Sequence, residues 1–122
     1  MGNTHKAKGT AFETLVVKFL RGRGFNKAYR PATKGGYDTG DINGVTSSRR
    51  QAVFQCKNQR KFALSEWLDA TVEQANQEEV GRNALPILVV KRPGVGEKSL
   101  GDTYAILRLE DLSSLLKEAG YN

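Results

Sequence analysis

The sequence predicts an α/β protein, a mixed β-sheet flanked by helices. Three observations lead there. Phe12, Leu15, Val16, Phe19 and Leu20 recur at i, i+3, i+4, i+7 and i+8, the stripe of an amphipathic helix. Residues 51–57 and 86–91 have the length and apolar content of strands, the second as the continuous run of a buried one. Helical and strand patterns interleave along the chain, which places both kinds of element in one layered core.

Taken in order, the first helix covers residues 10–22, and Gly22 and Gly24 stop it. Residues 27–32 read as a short strand. The segment 33–40, Thr-Lys-Gly-Gly-Tyr-Asp-Thr-Gly, reads as a loop because its glycines permit tight turns. Strands follow at 41–46 and 51–57, with 47–50 as their turn. A second helix fits 64–80, with Leu64, Trp67, Leu68, Thr71 and Ala75 on one face and Ser65 or a neighbour as its cap. The strand at 86–91 leads into a Gly-rich charged loop at 92–101, a strand at 103–109 and a last helix at 110–119 that turns Leu112, Leu115, Leu116 and Ala119 inward. There is no repeat and no long linker.

The 122 residues suit one domain, with residues 1–8 as a flexible basic arm or a plain tail carrying His5, Lys6 and Lys8. Apolar residues make up 39% and charged residues 26%, the balance of an ordinary globular protein. No apolar run reaches the roughly 20 residues needed to span a bilayer, and the first residues lack the apolar stretch of a secretory signal. The expectation is an intracellular protein with no membrane partner, in cytoplasm or on a nucleoid, with a viral origin left open. Cys56 is the only cysteine and His5 the only histidine. That leaves no intramolecular disulfide and no cysteine-cluster zinc site. A metal ion would be held mainly by oxygen, which points to magnesium or manganese. The net charge of +6, with clusters at Arg21/Arg23, Arg49/Arg50 and Arg60/Lys61, favours a polyanionic partner, although a solvated basic surface has the same composition.

The chemistry concentrates in residues 38–57. Strand alternation sets Val53, Gln55 and Lys57 on one face and Ala52, Phe54 and Cys56 on the other. A hairpin brings Asp41 beside Gln55 and Lys57. Phosphodiester hydrolysis needs an anionic ligand for a divalent cation, a positioned water and relief of developing charge. Asp41 supplies the first. The Gln55 side-chain oxygen and the Cys56 backbone carbonyl add neutral oxygens, and Lys57 can orient the water and stabilise the phosphate. An edge strand turning polar residues to water has the same alternation.

Asp41 and Gln55-Cys56-Lys57, with thirteen residues between Asp41 and Gln55, together with Gly9-Thr-Ala-Phe-Glu13 on the first helix, resemble the PD-(D/E)XK nuclease superfamily. The likeness covers most of the chain. It is nearest to archaeal-type Holliday junction resolvases, and Phe54-Gln-Cys-Lys57 is similar to the Gln-X-Lys form of Mrr-like restriction endonucleases. The resemblance implies a restriction-endonuclease-like sheet with an αβββαβ core. It implies a magnesium-dependent endodeoxyribonuclease, with manganese able to substitute, and Glu13 as a further metal ligand. Gly40 stands where a proline often precedes the Asp, and the neutral Gln55 replaces an acidic residue.

Several residues carry two readings. Glu13 is a metal ligand or a solvent-facing charge, and Asp38 a second ligand or a turn residue. Gln74 supports the site or faces water. Trp67 is core or interface rather than a base-stacking platform. Lys6, Lys8, Arg30, Thr33, Lys34, Thr39, Arg60 and Lys61 are the expected DNA contacts, since basic and hydroxyl groups bind phosphate. The leading expectation is a Holliday junction resolvase acting on four-way DNA as a two-fold homodimer. Ile106, Leu112 and Leu115 are candidates for the dimer interface or for internal core. A restriction-like or repair endonuclease on duplex, nicked or flapped DNA is the alternative. A non-catalytic DNA-binding protein on a degenerate nuclease fold is the third reading.

Overall fold

A computed structural model describes residues 4–32 and 38–122, with side chains from residue 7 onward. It contains helix α1 (Thr4–Gly22), strands β1 (Ile42–Thr46) and β2 (Gln51–Lys57), helix α2 (Leu64–Ala75), strands β3 (Leu85–Val90) and β4 (Tyr104–Ile106), and helix α3 (Leu109–Glu118). Short 3₁₀ turns occupy Glu78–Val80 and Glu97–Asp102.

The sheet runs β1-β2-β3-β4 and is mixed: β1 pairs antiparallel with β2, β2 parallel with β3, and β3 antiparallel with β4. Its two faces are covered separately. Ala52, Phe54 and Cys56 of β2 and Leu85 and Val89 of β3 pack with Phe12, Val16 and Val17 of α1, and Leu115 of α3 joins them. On the opposite face Val53 meets Ala75 and Val80, while Leu88 and Val90 meet Trp67. The architecture is therefore three-layered, with α2 on one side and α1 and α3 on the other. Because β2 is interior, all five residues from Ala52 to Cys56 are buried. The reading of 51–57 as a half-exposed edge strand does not hold.

The first helix begins six residues before its expected start, so residues 4–8, read as a flexible arm, continue α1. Its end is a Schellman turn. Gly24 adopts φ +99°, the Phe25 amide donates to the Leu20 carbonyl at 3.0 Å, and the Gly24 amide to Arg21 at 3.1 Å. The expected strand at 27–32 is reduced to a single bridge between Tyr29 and Asn43. Two strands, not three, thus separate α1 from α2. The second helix stops at Ala75, short of residue 80, and starts from Ala63 with no side-chain cap. The inward face expected of α3 is also corrected. Leu115 packs on the core, whereas Leu112 and Leu116 are exposed and Leu109 is 80% exposed. Ile106 belongs with the α2-side core. Among the described residues no helix is long and apolar enough to cross a membrane.

Most of the basic clusters turn out to be structural. Arg21 donates to the Ala28 carbonyl at 2.9 Å, Arg23 stacks 4.7 Å from the Phe19 ring centroid, and Arg50 pairs with Glu118 of α3 at 2.8 Å. A register shift between Ile42 and Val45 bends β1 at Gly44, which sits at φ +90° with its backbone against the Lys27 carbonyl. A Cβ there has no room and the wrong backbone conformation. Gly44→Ala is expected to destabilise the protein by about 2–3 kcal/mol. Urea unfolding checks this, and an unchanged midpoint would show that the bulge yields freely.

Candidate functional site

The carboxyl ends of the parallel strands β2 and β3 lie side by side, with Lys57 level with Val90. Loops leaving that end of the sheet are free to shape a cleft, the usual place for ligands in open α/β sheets. A cleft of about 1010 Å³ opens there, between the first half of α1, the loop before β1 and the residues after β2.

Asp41 is its anchor. The amide of Asp41 donates to the Phe54 carbonyl at 2.7 Å, which continues the β1–β2 pairing by one residue. Its carboxylate oxygen Oδ2 accepts the Cys56 amide at 2.8 Å. The carboxylate is thereby fixed to the central strand beside Gln55 and Lys57. Burial pushes its pKa up to about 6, opposed by the Cys56 amide, and the charges of Glu13 and Asp38 push the same way, while Lys57 pulls down. Glu13, Asp38 and Lys57 therefore all act on one half-buried carboxylate.

The approach to Asp41 is braced. Asp38 accepts the Gly40 amide at 3.0 Å through Oδ1 and the Gln74 side-chain amide at 2.9 Å through Oδ2. The turn reading of Asp38 is thus right, and the same carboxylate also reaches α2. Gln74, weighed as a solvated residue, is buried. Asn43 holds the loop from below, donating to the Thr39 carbonyl at 2.9 Å and accepting from the Thr39 hydroxyl at 3.3 Å. Gly40 has φ +97°, and a Cβ there would collide with Val53 and the Phe54 carbonyl. Proline, fixed near φ −65°, cannot occupy this backbone conformation.

Gln55 is 8% exposed on an interior strand, and its side-chain oxygen has no partner among the described residues. The Gln74 side-chain oxygen is likewise unpartnered. Such buried acceptors are costly unless something fills them. Glu13 faces the cleft from α1, its Oε1 held by Arg30 at 3.1 Å. Lys57 projects on the α2 side, its Nζ 5.7 Å from the Trp67 ring centroid. Trp67 itself is core. Burial and the charges of Asp41 and Glu13 push the Cys56 thiol well up, which keeps it protonated and unsuited to nucleophilic work.

Of the expected site residues, Glu13, Asp41, Gln55, Cys56, Lys57, Lys8, Arg30, Thr39, Arg60 and Lys61 all line this one cleft. Thr33, Lys34 and the Lys6 side chain lie outside the described residues. Asn58, Gln59 and Thr10 also line the cleft and were not singled out in the sequence, although the first two directly follow Lys57. Among the described residues no three His, Cys, Asp or Glu side chains form a ready ligand cluster. A cation here would need neutral oxygens as well as carboxylates. Comparison of the chain with family models, with curated proteins and with solved structures finds no match.

A carboxylate raised from 3.8 to about 6 leaves a mark on stability. Between those values the folded state keeps a proton that the unfolded chain has released, so stability falls as pH rises through the window. Above it the ionised Asp41 costs about 1–3 kcal/mol. Asp41→Asn is expected to unfold at higher denaturant than wild type at pH 7.5 without divalent cations, and the gap should close as pH falls towards 4. Equal midpoints at both pH values would mean that Asp41 is not under electrostatic strain.

Proposed function

We propose that the protein is a metal-dependent DNA endonuclease that hydrolyses phosphodiester bonds, related to the PD-(D/E)XK nucleases, with branched DNA as its substrate. The observation that carries the reading is the half-buried pairing at the end of β2. There Asp41 is locked to the Cys56 amide, and Gln55, whose buried side-chain oxygen has no partner among the described residues, lines the same cleft.

The donor set fits magnesium or manganese. Asp41 and the Gln55 oxygen would hold the ion, with the Cys56 carbonyl and the free Oε2 of Glu13 completing the set. A cation placed there satisfies the orphaned amide oxygen and removes the strain on Asp41. The ion would supply Lewis acidity at a phosphate oxygen and acidify a bound water. Asp41 is oriented by the Cys56 amide and so keeps one oxygen directed to the cleft. The Lys57 ammonium, drawn over Trp67, can swing to a phosphate oxygen and donate a hydrogen bond to the charge that develops there. Arg30 keeps Glu13 in place and presents its own cation to the backbone. Lys8, Thr39, Arg60 and Lys61 contact flanking phosphates without reading bases.

Within this reading a four-way junction is the leading substrate and a two-fold homodimer the leading assembly, since symmetric cutting needs two sites. The exposed Leu109, Leu112 and Leu116 of α3 are the candidate contact, in place of Ile106 and Leu115, which are engaged in the core. A repair-type endonuclease on flapped or nicked DNA uses the same site.

Labelled four-way junction, duplex, flap and single-stranded DNA incubated with magnesium or manganese tests the proposal. Paired nicks confined to the junction support a resolvase, and equal cutting of linear duplex sinks junction selectivity. Binding without cleavage in either metal favours a non-catalytic protein. Asp41→Asn and Lys57→Ala should each reduce cleavage at least about 100-fold. Magnesium or manganese should raise the melting temperature of wild type and not of Asp41→Asn, a readout independent of activity. Gln55→Glu should lower the cation concentration needed for that shift. A shift of equal size in Asp41→Asn would place the ion elsewhere.

A further inference from the structure

Beside the cleft lies a row of side chains that the hydrolytic site does not use. The register of the sheet sets Lys57 of β2 level with Val90 of β3, and Val90 level with Tyr104 of β4. All three lie on the α2 side, where Val90 packs on Trp67. From Lys57 the row runs without a break. The Lys57 Nζ lies 5.7 Å from the Trp67 ring centroid, the Trp67 ring 6.0 Å from that of Phe62, and the Phe62 ring 6.3 Å from that of Tyr104 at 82°. The Arg92 guanidinium closes it, 5.9 Å from the Tyr104 ring centroid.

Trp67 is buried and forms the floor, but Phe62 is 38% and Tyr104 39% exposed. Large aromatic rings left half in water gain little for the core, and two of them in edge contact form an apolar shelf. The shelf is ringed by cations: Lys57, Arg60 and Lys61 on the side of the cleft, and Arg92 on the other. The two exposed rings stand nearly perpendicular, so a base laid on the face of one meets the edge of the other, and with positive charge at the border this surface matches a polyanion with exposed π-faces. Duplex DNA hides those faces in its stack, whereas an unpaired strand offers them to aromatic and guanidinium groups.

We infer that Phe62, Tyr104 and Arg92 form a stacking platform for an unpaired base of a single-stranded DNA segment that enters the cleft. Two strand spacings, about 10 Å, separate Lys57 from Tyr104 across the sheet. The platform therefore receives a base within a few nucleotides of the phosphate at Lys57. This deepens the nuclease reading and rests on it for the identity of that phosphate: the substrate carries unpaired nucleotides beside the cleavage point, as at a flap or an opened branch point.

Binding without divalent cations separates the two ideas, because it needs no cleavage. Trp67 is the only tryptophan, and it touches Phe62. Its fluorescence should change when an oligo-dT strand binds. At one fixed salt concentration, Tyr104→Ala should weaken oligo-dT binding about tenfold. It should leave blunt duplex binding within about twofold, since phosphate contacts are untouched. Tyr104→Phe should bind as wild type, and circular dichroism should show both variants folded. In magnesium or manganese, Tyr104→Ala should slow cutting of a flap more than of a duplex. Equal losses on strand and duplex overturn the platform. Conversion of a dimer to a monomer by Tyr104→Ala with strand affinity unchanged also overturns it, by giving the face to a second copy. If no DNA is cut in either metal but the tenfold selective loss stands, the platform holds and the nuclease reading fails.

Discussion

The hydrogen bond from the Cys56 amide to the Asp41 carboxylate, 2.8 Å long, ties the loop before β1 to the central strand of the sheet. Several features follow from it. Asp41 has to reach β2 from the tip of β1, so the residue before it must turn sharply, and Gly40 does so at φ +97° against the Val53 side chain. The turn then needs a brace, which Asp38 supplies by accepting from Gly40 below and from Gln74 on α2 above. Helix, loop and strand thus meet at one half-buried carboxylate. Its charge is tolerated because an amide dipole points at it, and its raised pKa shows that the amide alone does not fully offset the loss of water.

The strand that anchors this carboxylate, β2, is held from both sides. Phe54 and Cys56 are pinned by α1, and Val53 by α2. This alternation gives the site its rigidity: Gln55 has apolar neighbours, Phe54 and Cys56, that face the opposite layer. Side chains on such a strand are positioned more closely than those on loops, which the proposed phosphodiester hydrolysis would require. The parallel pairing of β2 and β3 then sends both following loops to the same end, so the basic residues 60 and 61 and Arg92 arrive around Lys57 through topology alone.

Much of this was legible in the sequence. The alternation of 51–57 assigned the two faces of β2 correctly, and the stripe from Phe12 to Leu20 found α1, while the stripe left the direction of Glu13 open. What was hidden has physical causes. Residues 27–32 have strand-like composition, but Gly44 lets the Lys27 backbone approach too closely for a regular ladder, and one bridge forms. The α3 leucines look like a core stripe, yet a short helix with its buried Asp111 paired to Arg108 turns only part of that stripe inward. Gln74 is a single polar residue on a helix, and no local pattern distinguishes a brace from a solvated side chain. The Phe62–Tyr104 contact joins residues far apart in the chain through sheet register, and composition carries no trace of it.

The neutral Gln55 gains a reason from this geometry. Glu13, Asp38 and Asp41 already set three carboxylates around one cleft, and Arg30 and Lys57 answer them with two cations. The first two acids already push Asp41 upward. An acid at position 55, buried on the central strand, would add a like charge to a group that is short of water, and one of the two carboxyls would hold its proton at neutral pH. An amide supplies an oxygen at the same place without that repulsion. It keeps Asp41 nearer its ionised form, and its buried oxygen has no partner among the described residues. In the proposed nuclease, an amide at position 55 exchanges cation affinity for readiness. In that nuclease the charge for holding a cation would then fall to Glu13, which Arg30 holds at the cleft from the opposite layer.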